Sequence, residues 1–353
     1  MSTLRLYEAE TSPERIAAKY HLAPGDIIDF SLNINPFGPP AGAAAAARRS
    51  LERCNEYPDL TYARLRRRLA ERHAVPVEHF LFGGGLDDVI KLLVHAWTSA
   101  GDRVLIHIPT FPRYELEAAG RGAVTVLVRS DPPWRIDVDS IRRALLDSPI
   151  RLAFLCTPNN PTGEVIPNSL IAALAGDFPQ TLFVVDEALI DPAEDGAVPL
   201  VLRHANLCVL RTFSKYFGLA GLRVGYALGP PPLVREFELL RPPFNLSTPA
   251  AAAAEAAVGD AAFLERTRQI FSAEMQFFKS SVRGEVLGSR SNMLLLGLKG
   301  IGSAAFCEAL ARRGILVADG RSFHGLEAHD TVRISLRDRA ANERLVAAIQ
   351  AVS

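Results

Sequence analysis

The sequence predicts an α/β fold, with a mostly parallel β-sheet between helices and a smaller α+β domain. Apolar strand segments alternate with helical patterns from about residue 50 to residue 240, as in sheets covered on both faces. The chain has 353 residues, 48% of them hydrophobic, which is enough to bury a large core in two parts. A further group of short strands near the C-terminus predicts the smaller domain.

Individual elements follow from apolar runs and from alanine content. Continuous apolar runs predict strands at residues 79–82, 104–108, 152–156, 182–185, 292–296, 315–317 and 331–335. A helical pattern lies near residues 304–313, and alanine runs at 43–47 and 250–254 predict helices because alanine has the highest helix propensity. Ligands bind at the carboxyl ends of parallel strands, so we expect the functional residues there.

One lysine has a distinctive setting. Lys215 follows an apolar strand, with hydroxyls at Thr212 and Ser214 before it and Arg223 eight residues after it. Burial and a nearby cation depress the pKa of a lysine, which then forms a Schiff base with an aldehyde. The hydroxyls and the arginine suit a phosphate. The same sequence also fits a strand end followed by a solvated lysine. Other segments of the chain are needed to choose between these two interpretations.

Two other strands end in polar residues of matching chemistry. Asp186 follows the apolar run 182–185, and carboxylates are rarely buried without a partner. The ring nitrogen of pyridoxal is such a partner. Asn160 lies in the rigid turn 157–163, where its amide can donate to the phenolic oxygen of the same ring. Together with Lys215, these residues indicate pyridoxal 5′-phosphate as cofactor.

The order Asn-Pro-Thr-Gly, Asp-Glu-Ala, Ser-Lys and Gly-Leu-Arg-x-Gly resembles the fold-type I pyridoxal-phosphate enzymes of the class I/II aminotransferase superfamily over nearly the whole chain. The resemblance implies three catalytic residues: Lys215 as the Schiff-base lysine, Asp186 at the pyridine nitrogen and Asn160 at the ring oxygen O3′. It also implies that Ser214 and Arg223 bind the cofactor phosphate, with Thr212 as a weaker candidate.

The N-terminal third supplies further cofactor residues by the same resemblance. Gly85, Leu86 and Asp87 are similar to the family's phosphate-binding cup, where a glycine loop opens a helix. Phe111 stands where the family places the aromatic residue that stacks on the pyridine ring. Tyr57 would reach across a dimer interface to the partner's cofactor phosphate. The resemblance therefore implies a homodimer with shared active sites.

The resemblance also divides the chain. Residues 1–35 are expected to join the small domain, 36–245 to form the large domain that binds the cofactor, and 246–353 to contain an interdomain helix and the small C-terminal domain. Pro249 opens the alanine-rich helix at 250–254, and we expect this long helix to bridge the domains.

Substrate residues are implied by resemblance as well. Arg333 would hold the α-carboxylate through a bidentate guanidinium contact, and Arg321 a distal anion. Asn35, a further substrate candidate, lies in the segment 28–40, which is similar to threonine-phosphate decarboxylases of cobalamin synthesis. Two features depart from the pattern. Residues 7–11 replace the usual His-Gly-Gly start, and Leu189 stands where many aminotransferases have tyrosine.

Three functions remain open from the sequence. The first is decarboxylation of L-threonine O-3-phosphate to aminopropanol phosphate, favoured by the segment 28–40. The alternative is an aminotransferase, histidinol-phosphate-like or specialised for another amino acid, and a requirement for a keto acid separates the two. The third is a non-catalytic pyridoxal-binding module, which the complete set of catalytic residues disfavours.

Composition excludes several other classes. The formal net charge is zero and the pI about 7.1, so no overall field favours nucleic acid or an anionic membrane, and a small amino-acid substrate is expected. We find no uninterrupted apolar run of about 18 residues, the length needed to span a bilayer. The four cysteines are scattered and lack metal-ligand spacing, which predicts no metal site, reduced thiols and a cytoplasmic location.

Overall fold

A computed structural model of the protein describes residues 12–282, 284–288 and 291–352. The strands are β1 (Ile28–Asp29), β2 (Phe80–Gly83), β3 (Arg103–Ile108), β4 (Val124–Arg129), β5 (Leu152–Cys156), β6 (Leu182–Asp186), β7 (Leu207–Thr212), β8 (Gly225–Leu228), β9 (Glu285–Gly288), β10 (Met293–Gly297), β11 (Ile315–Leu316), β12 (Ala318–Asp319) and β13 (Thr331–Ser335). The α-helices are α1 (Pro13–Tyr20), α2 (Ala41–Ser50), α3 (Ala63–His73), α4 (Leu86–Trp97), α5 (Arg113–Gly120), α6 (Val138–Asp147), α7 (Asn168–Asp177), α8 (Pro231–Glu238), α9 (Thr248–Val258), α10 (Ala261–Ser281), α11 (Ser303–Ala311) and α12 (Arg339–Gln350).

The large sheet has seven strands in the order β2-β8-β7-β6-β5-β3-β4. β8 runs antiparallel to both of its neighbours, and the pairs among β7, β6, β5, β3 and β4 are parallel. Every residue of β5 and β6 is buried, as expected for central strands with both faces covered. Successive residues of β5 alternate between two apolar cores, with Leu155 in one and Phe154 in the other. The predicted mostly parallel sheet is confirmed.

The smaller sheet is antiparallel and has the order β12-β13-β10-β9. A third apolar core joins β10 and β13 to α10, α11 and α12. The N-terminal segment packs on this part of the chain: β1 pairs with β11, and Ile16 of α1 contacts Ala311 and Leu316. The fold is therefore α/β, with a large mixed sheet and a smaller sheet beside it.

The alanine-rich helix differs from the prediction. The two alanine helices, α2 and α9, pack against each other, but α9 ends at Val258. The side chain of Asp260 then accepts a hydrogen bond from the backbone N–H of Phe263 and caps a new helix, α10. Phe271 of α10 lies in a large-sheet core and Phe278 in the small-sheet core. The prediction that the alanine helix bridges the two parts is wrong, because α10 does so.

The part of the chain that the structure describes lacks two features. None of its helices combines the length and apolar character needed to cross a membrane. It also contains no group of three or more His, Cys, Asp or Glu residues able to hold a metal ion. The segment at residues 7–11, which departs from the decarboxylase pattern, lies outside the described residues.

Candidate active site

The predicted cofactor residues meet at one edge of the large sheet. Parallel strands end at the same edge, and β8 begins there because it runs the opposite way. The order of the strands separates two groups of predicted residues. Those predicted to bind the phosphate adjoin β2, β8 and β7. Those predicted to contact the ring adjoin β7, β6, β5 and β3. Along this edge the residues lie in the order Gly85, Arg223, Thr212, Ser214, Lys215, Asp186, Asn160 and Phe111.

A close approach of backbone and guanidinium forms the phosphate end. Gly85 has a φ of +94° at the start of α4, and a Cβ built on it would collide with the guanidinium of Arg223. A Cβ on Gly225 would lie 2.6 Å from the backbone nitrogen of Leu86. The first N–H groups of a helix have no partner within it and bind anions. The glycines thus leave open a cradle in which Leu86, Asp87 and Arg223 suit a phosphate.

The hydroxyls after β7 complete this end. Thr212 Oγ1 lies 3.0 Å from Ser214 Oγ and accepts a hydrogen bond from the Ser214 backbone N–H at 3.1 Å. Arg223 Nη2 lies 3.5 Å from Asp87 Oδ2, and the Asp87 carboxylate is also 3.6 Å from Arg113 Nε. Asp87 therefore holds two cations at the mouth of the cradle. Arg113 has no motif of its own in the sequence.

Lys215 lies where the two parts of the chain meet. Its Nζ donates a hydrogen bond of 2.7 Å to the backbone oxygen of Asn33. Burial, together with the positive charges of Arg333 and Arg223, lowers the pKa of Lys215 to about 8. A substantial fraction of the amine is therefore uncharged near neutral pH, as a nucleophile or base requires.

Asp186 is buried at the end of β6 and holds two hydrogen bonds. Oδ2 accepts from the Tyr114 hydroxyl at 2.6 Å, and Oδ1 accepts from the Ala188 backbone N–H at 2.9 Å. Burial raises the pKa of Asp186, and these two donors oppose that rise. Tyr114, the second residue of α5, is a contact of Asp186 that sequence reasoning missed.

Phe111 and Asn160 are positioned by a buried neighbour. Asn159 Oδ1 accepts from Thr110 Oγ1 at 2.7 Å, and Asn159 Nδ2 donates to the Pro109 oxygen at 2.9 Å. These bonds tie the loop after β3 to the loop after β5. Phe111 and Asn160 stand beside the tied residues and are held at adjacent strand ends.

The small sheet contributes Arg333 to the same place. Arg333 Nη1 donates to Asn160 Oδ1 at 3.2 Å, and Nη2 donates to the backbone oxygen of Ser31. The Phe323 ring lies 5.6 Å from the guanidinium carbon. Asn35 Nδ2 donates to the Tyr216 oxygen at 2.9 Å, which ties the N-terminal loop to the residue after Lys215. The backbone oxygens of Ser31 and Asn33, which receive the two cations, carry no sequence signal.

Other predicted residues stand apart from these contacts. Arg321 is exposed and forms a bidentate ion pair with Asp319, in which Nε lies 3.2 Å from Oδ1 and Nη2 lies 2.7 Å from Oδ2. Tyr57 is 82% exposed and stacks on Phe244 at 4.6 Å between ring centroids. The structure does not bring Arg321 or Tyr57 into the hydrogen-bonded cluster around Lys215. Leu189 is buried and offers no hydrogen-bonding side chain in the loop after Asp186.

Comparison with known proteins agrees with this geometry. The family model for aminotransferase class I and II matches residues 25–349. The chain therefore belongs to that family and is a pyridoxal-phosphate enzyme of its fold type. The cradle at Gly85, the carboxylate of Asp186 and the amine of Lys215 fit the phosphate, ring nitrogen and aldehyde of this cofactor.

Curated relatives cover nearly the whole chain. The chain is 35% identical over 342 residues to a histidinol-phosphate aminotransferase of Methanopyrus kandleri, covering 91% of this chain and 87% of the relative. It is 36% identical over 332 residues to a histidinol-phosphate aminotransferase of Symbiobacterium thermophilum, covering 92% of this chain and 90% of the relative. These names match the aminotransferase alternative better than the decarboxylase prediction.

Solved structures share the fold. The histidinol-phosphate aminotransferase of Sinorhizobium meliloti in complex with pyridoxal-5′-phosphate superposes with a TM-score of 0.87 and 25% identity, covering 100% of this chain and 97% of that one. The L-threonine-O-3-phosphate decarboxylase of Porphyromonas gingivalis gives a TM-score of 0.78 and 24% identity, covering 92% of this chain and 99% of that one. At that identity the decarboxylase shares the fold, which by itself carries no function.

Proposed function

We propose that the protein is an aminotransferase, with histidinol phosphate as the first amino donor to test and a 2-keto acid as acceptor. The curated relatives named above support amino transfer. Histidinol phosphate carries a phosphate where an amino acid carries a carboxylate. A guanidinium binds both anions through the same pair of N–H groups, so Arg333 suits the donor and the keto acid alike.

The observation that carries the proposal is the amine of Lys215 beside Arg333. Lys215 Nζ donates to the backbone oxygen of Asn33 and Arg333 Nη2 to that of Ser31, two residues earlier in the same loop, so the two groups are near neighbours. An anion held by Arg333 brings its carbon skeleton next to the amine. An amine with a pKa of about 8 can take a proton from Cα and return it, which is the proton movement that amino transfer needs.

The other residues of the site would hold the cofactor and the substrate in place. Bound pyridoxal phosphate supplies an electron sink for the bond broken at Cα. Asp186 would hold a proton on the ring nitrogen, and Asn160, whose Oδ1 accepts from Arg333, would donate to the ring oxygen through its amide nitrogen. The phosphate would be anchored by Gly85, Leu86, Asp87, Thr212, Ser214 and Arg223, and Phe111 would cover the ring. A substrate contact by Asn35 stays part of the proposal, whereas a contact by Arg321 belongs to the decarboxylase alternative.

One contact weighs against threonine phosphate as the preferred substrate. That molecule carries two anionic groups, a carboxylate and a phosphate, and needs a cationic partner for each. Arg333 provides one. Arg321, the candidate for the second, is occupied by Asp319 in a bidentate ion pair. We retain decarboxylation as the alternative that the experiment below decides.

The assembly is part of the proposal. We infer a homodimer with shared sites, in which Tyr57 approaches the partner's cofactor phosphate. Exposed large apolar side chains close in sequence to Tyr57 or to its stacking partner Phe244 support this, with Leu51 56%, Leu239 79% and Leu240 51% exposed. Light scattering on the purified protein tests the dimer. A cytoplasmic location is proposed from the described cysteines, all four of which are free thiols.

The experiment is a set of three incubations of the purified, cofactor-loaded enzyme. Histidinol phosphate is supplied with and without 2-oxoglutarate, and L-threonine O-phosphate without any keto acid. The proposal predicts continuous formation of glutamate only when donor and keto acid are both present, and no CO₂. Release of CO₂ with aminopropanol phosphate over many turnovers would overturn amino transfer and establish decarboxylation.

A further inference from the structure

Tyr114 is the buried side chain that links two parts of the cofactor site. Its hydroxyl donates to Asp186 Oδ2 at 2.6 Å, and both residues are buried. Its ring stacks on Phe154 with centroids 4.5 Å apart and an interplanar angle of 11°. The ring of Phe111 meets it edge-on at 5.7 Å and 79°. The loop after β3 and the first turn of α5 therefore present the residue proposed to cover the ring and a partner for the Asp186 carboxylate.

The packing leaves Tyr114 little freedom. Phe154 lies on β5 two residues before Cys156, which pairs in register with Asp186 of β6. The stacked phenol is thus fixed relative to the strand beside Asp186, and only its hydroxyl is polar. A buried hydroxyl without a partner is unfavourable, so the contact with Asp186 is retained.

We propose that Tyr114 is a positioning residue that orients Asp186 toward the ring nitrogen of the cofactor. The Tyr114 hydroxyl occupies Oδ2 and the Ala188 N–H occupies Oδ1, which fixes the rotation of the carboxylate. A carboxylate oxygen accepts more than one hydrogen bond, so the ring nitrogen can still be bound. Tyr114 acts through Asp186 and needs no contact with substrate.

The hydroxyl also influences where the proton resides. Donation to a carboxylate favours its ionised form, so the proton stays on the ring nitrogen rather than moving to Asp186. Without the hydroxyl, Asp186 would compete better for that proton, and the ring would lose positive charge. The groups that act electrostatically on Asp186 come from several elements and include Tyr114, Asp87, Lys215, Cys156 and Glu187.

The test compares Tyr114→Phe with Tyr226→Phe. The first removes only the hydroxyl and keeps the stacked ring. The second removes another buried hydroxyl, which contacts His73 Nε2 at 3.0 Å. We expect Tyr114→Phe to weaken cofactor binding about tenfold, the effect of one hydrogen bond to a charged group, and to raise the pH midpoint of the cofactor's visible band. Tyr226→Phe should change neither, and melting of both apoproteins reports folding.

A double-mutant cycle separates positioning from packing. In an Asp186→Asn background, Tyr114→Phe should have little further effect on cofactor affinity, because its partner charge is gone. An unchanged affinity and pH midpoint in Tyr114→Phe would overturn the proposal, as would equal effects in both backgrounds. The proposal rests on the family's cofactor and not on the donor, so these readouts stay interpretable whichever reaction the enzyme catalyses.

Discussion

The half of the site proposed to bind the cofactor and the half proposed to bind the substrate, called here the cofactor half and the substrate half, are built differently. The cofactor residues are side chains at the ends of neighbouring strands of one sheet, each held by a local turn or helix start. Arg333 comes from the small sheet and is held by Asn160 and the backbone of Ser31. Lys215 touches both halves, because Asn33 of the N-terminal loop accepts its hydrogen bond. Cofactor binding and substrate orientation should therefore respond to different substitutions.

The largest effect that tests this division is expected from the cofactor half. Asp186→Asn removes the charge that holds a proton on the ring nitrogen and should lower kcat by about 10²- to 10³-fold. Its KM should change little. Steady-state kinetics measures both, and Asp191→Asn, which alters a different buried carboxylate paired with Arg268, is the matched control. A large rise in KM with unchanged kcat would assign Asp186 to the substrate half.

The substrate half should show the reverse pattern. Arg333→Gln removes the guanidinium beside Asn160 and should lower kcat/KM by about 2 kcal/mol, roughly 30-fold, mainly through KM. The absorption spectrum and affinity of the bound cofactor should stay near those of the wild type. Loss of the cofactor from this variant would contradict the division, since Arg333 would then serve both halves.

The lowered pKa of Lys215, which lies where the two halves meet, should make the stability of the apoprotein depend on pH. Its folded pKa of about 8 lies below its ordinary value of 10.5, so between these values the unfolded chain binds the extra proton. The stability of the apoprotein should therefore rise with pH in that window. Lys215→Met lacks the effect and should be more stable at pH 7, by up to about 3 kcal/mol, with the gap closing as pH rises from 8 to 10.5. Denaturant titrations of both apoproteins measure it, and a gap independent of pH would contradict the lowered pKa.

The smallest expected effect tests whether Arg321 belongs to the substrate half. Arg321→Gln breaks an exposed ion pair with Asp319, which contributes little to stability, and should change kcat/KM for histidinol phosphate less than about threefold. The same assay applied to Arg333→Gln supplies the contrast. A KM increase in Arg321→Gln as large as that in Arg333→Gln would place Arg321 in the substrate half.

The sequence predicts most of the cofactor half because each residue adjoins an apolar strand. Asp186 and Lys215 lie at or just after the ends of strands whose apolar composition predicts burial. Parallel pairing brings the carboxyl ends of such strands together. The break between α9 and α10 was missed because alanine content hides a stop at Gly259 and a new cap at Asp260. Helix propensity alone does not locate that boundary.

The substrate half is harder to predict for a physical reason. Arg333 and Lys215 each donate to a backbone oxygen, that of Ser31 and that of Asn33 respectively, and any residue supplies a backbone oxygen. Tyr114 was not predicted because its partner Asp186 is on a distant strand, so no local spacing in the sequence indicates the contact. Both kinds of interaction depend on tertiary packing.

The most direct test of the account is to locate the attached cofactor. The purified yellow enzyme is reduced with borohydride, which fixes the cofactor to the lysine that holds it, and is then digested and analysed by mass spectrometry. The account predicts pyridoxyl modification of the peptide that contains Lys215 and of no other lysine peptide. Modification of a different lysine, or none in an enzyme that turns over, would contradict the assignment of Lys215 as the residue joining the two halves of the site.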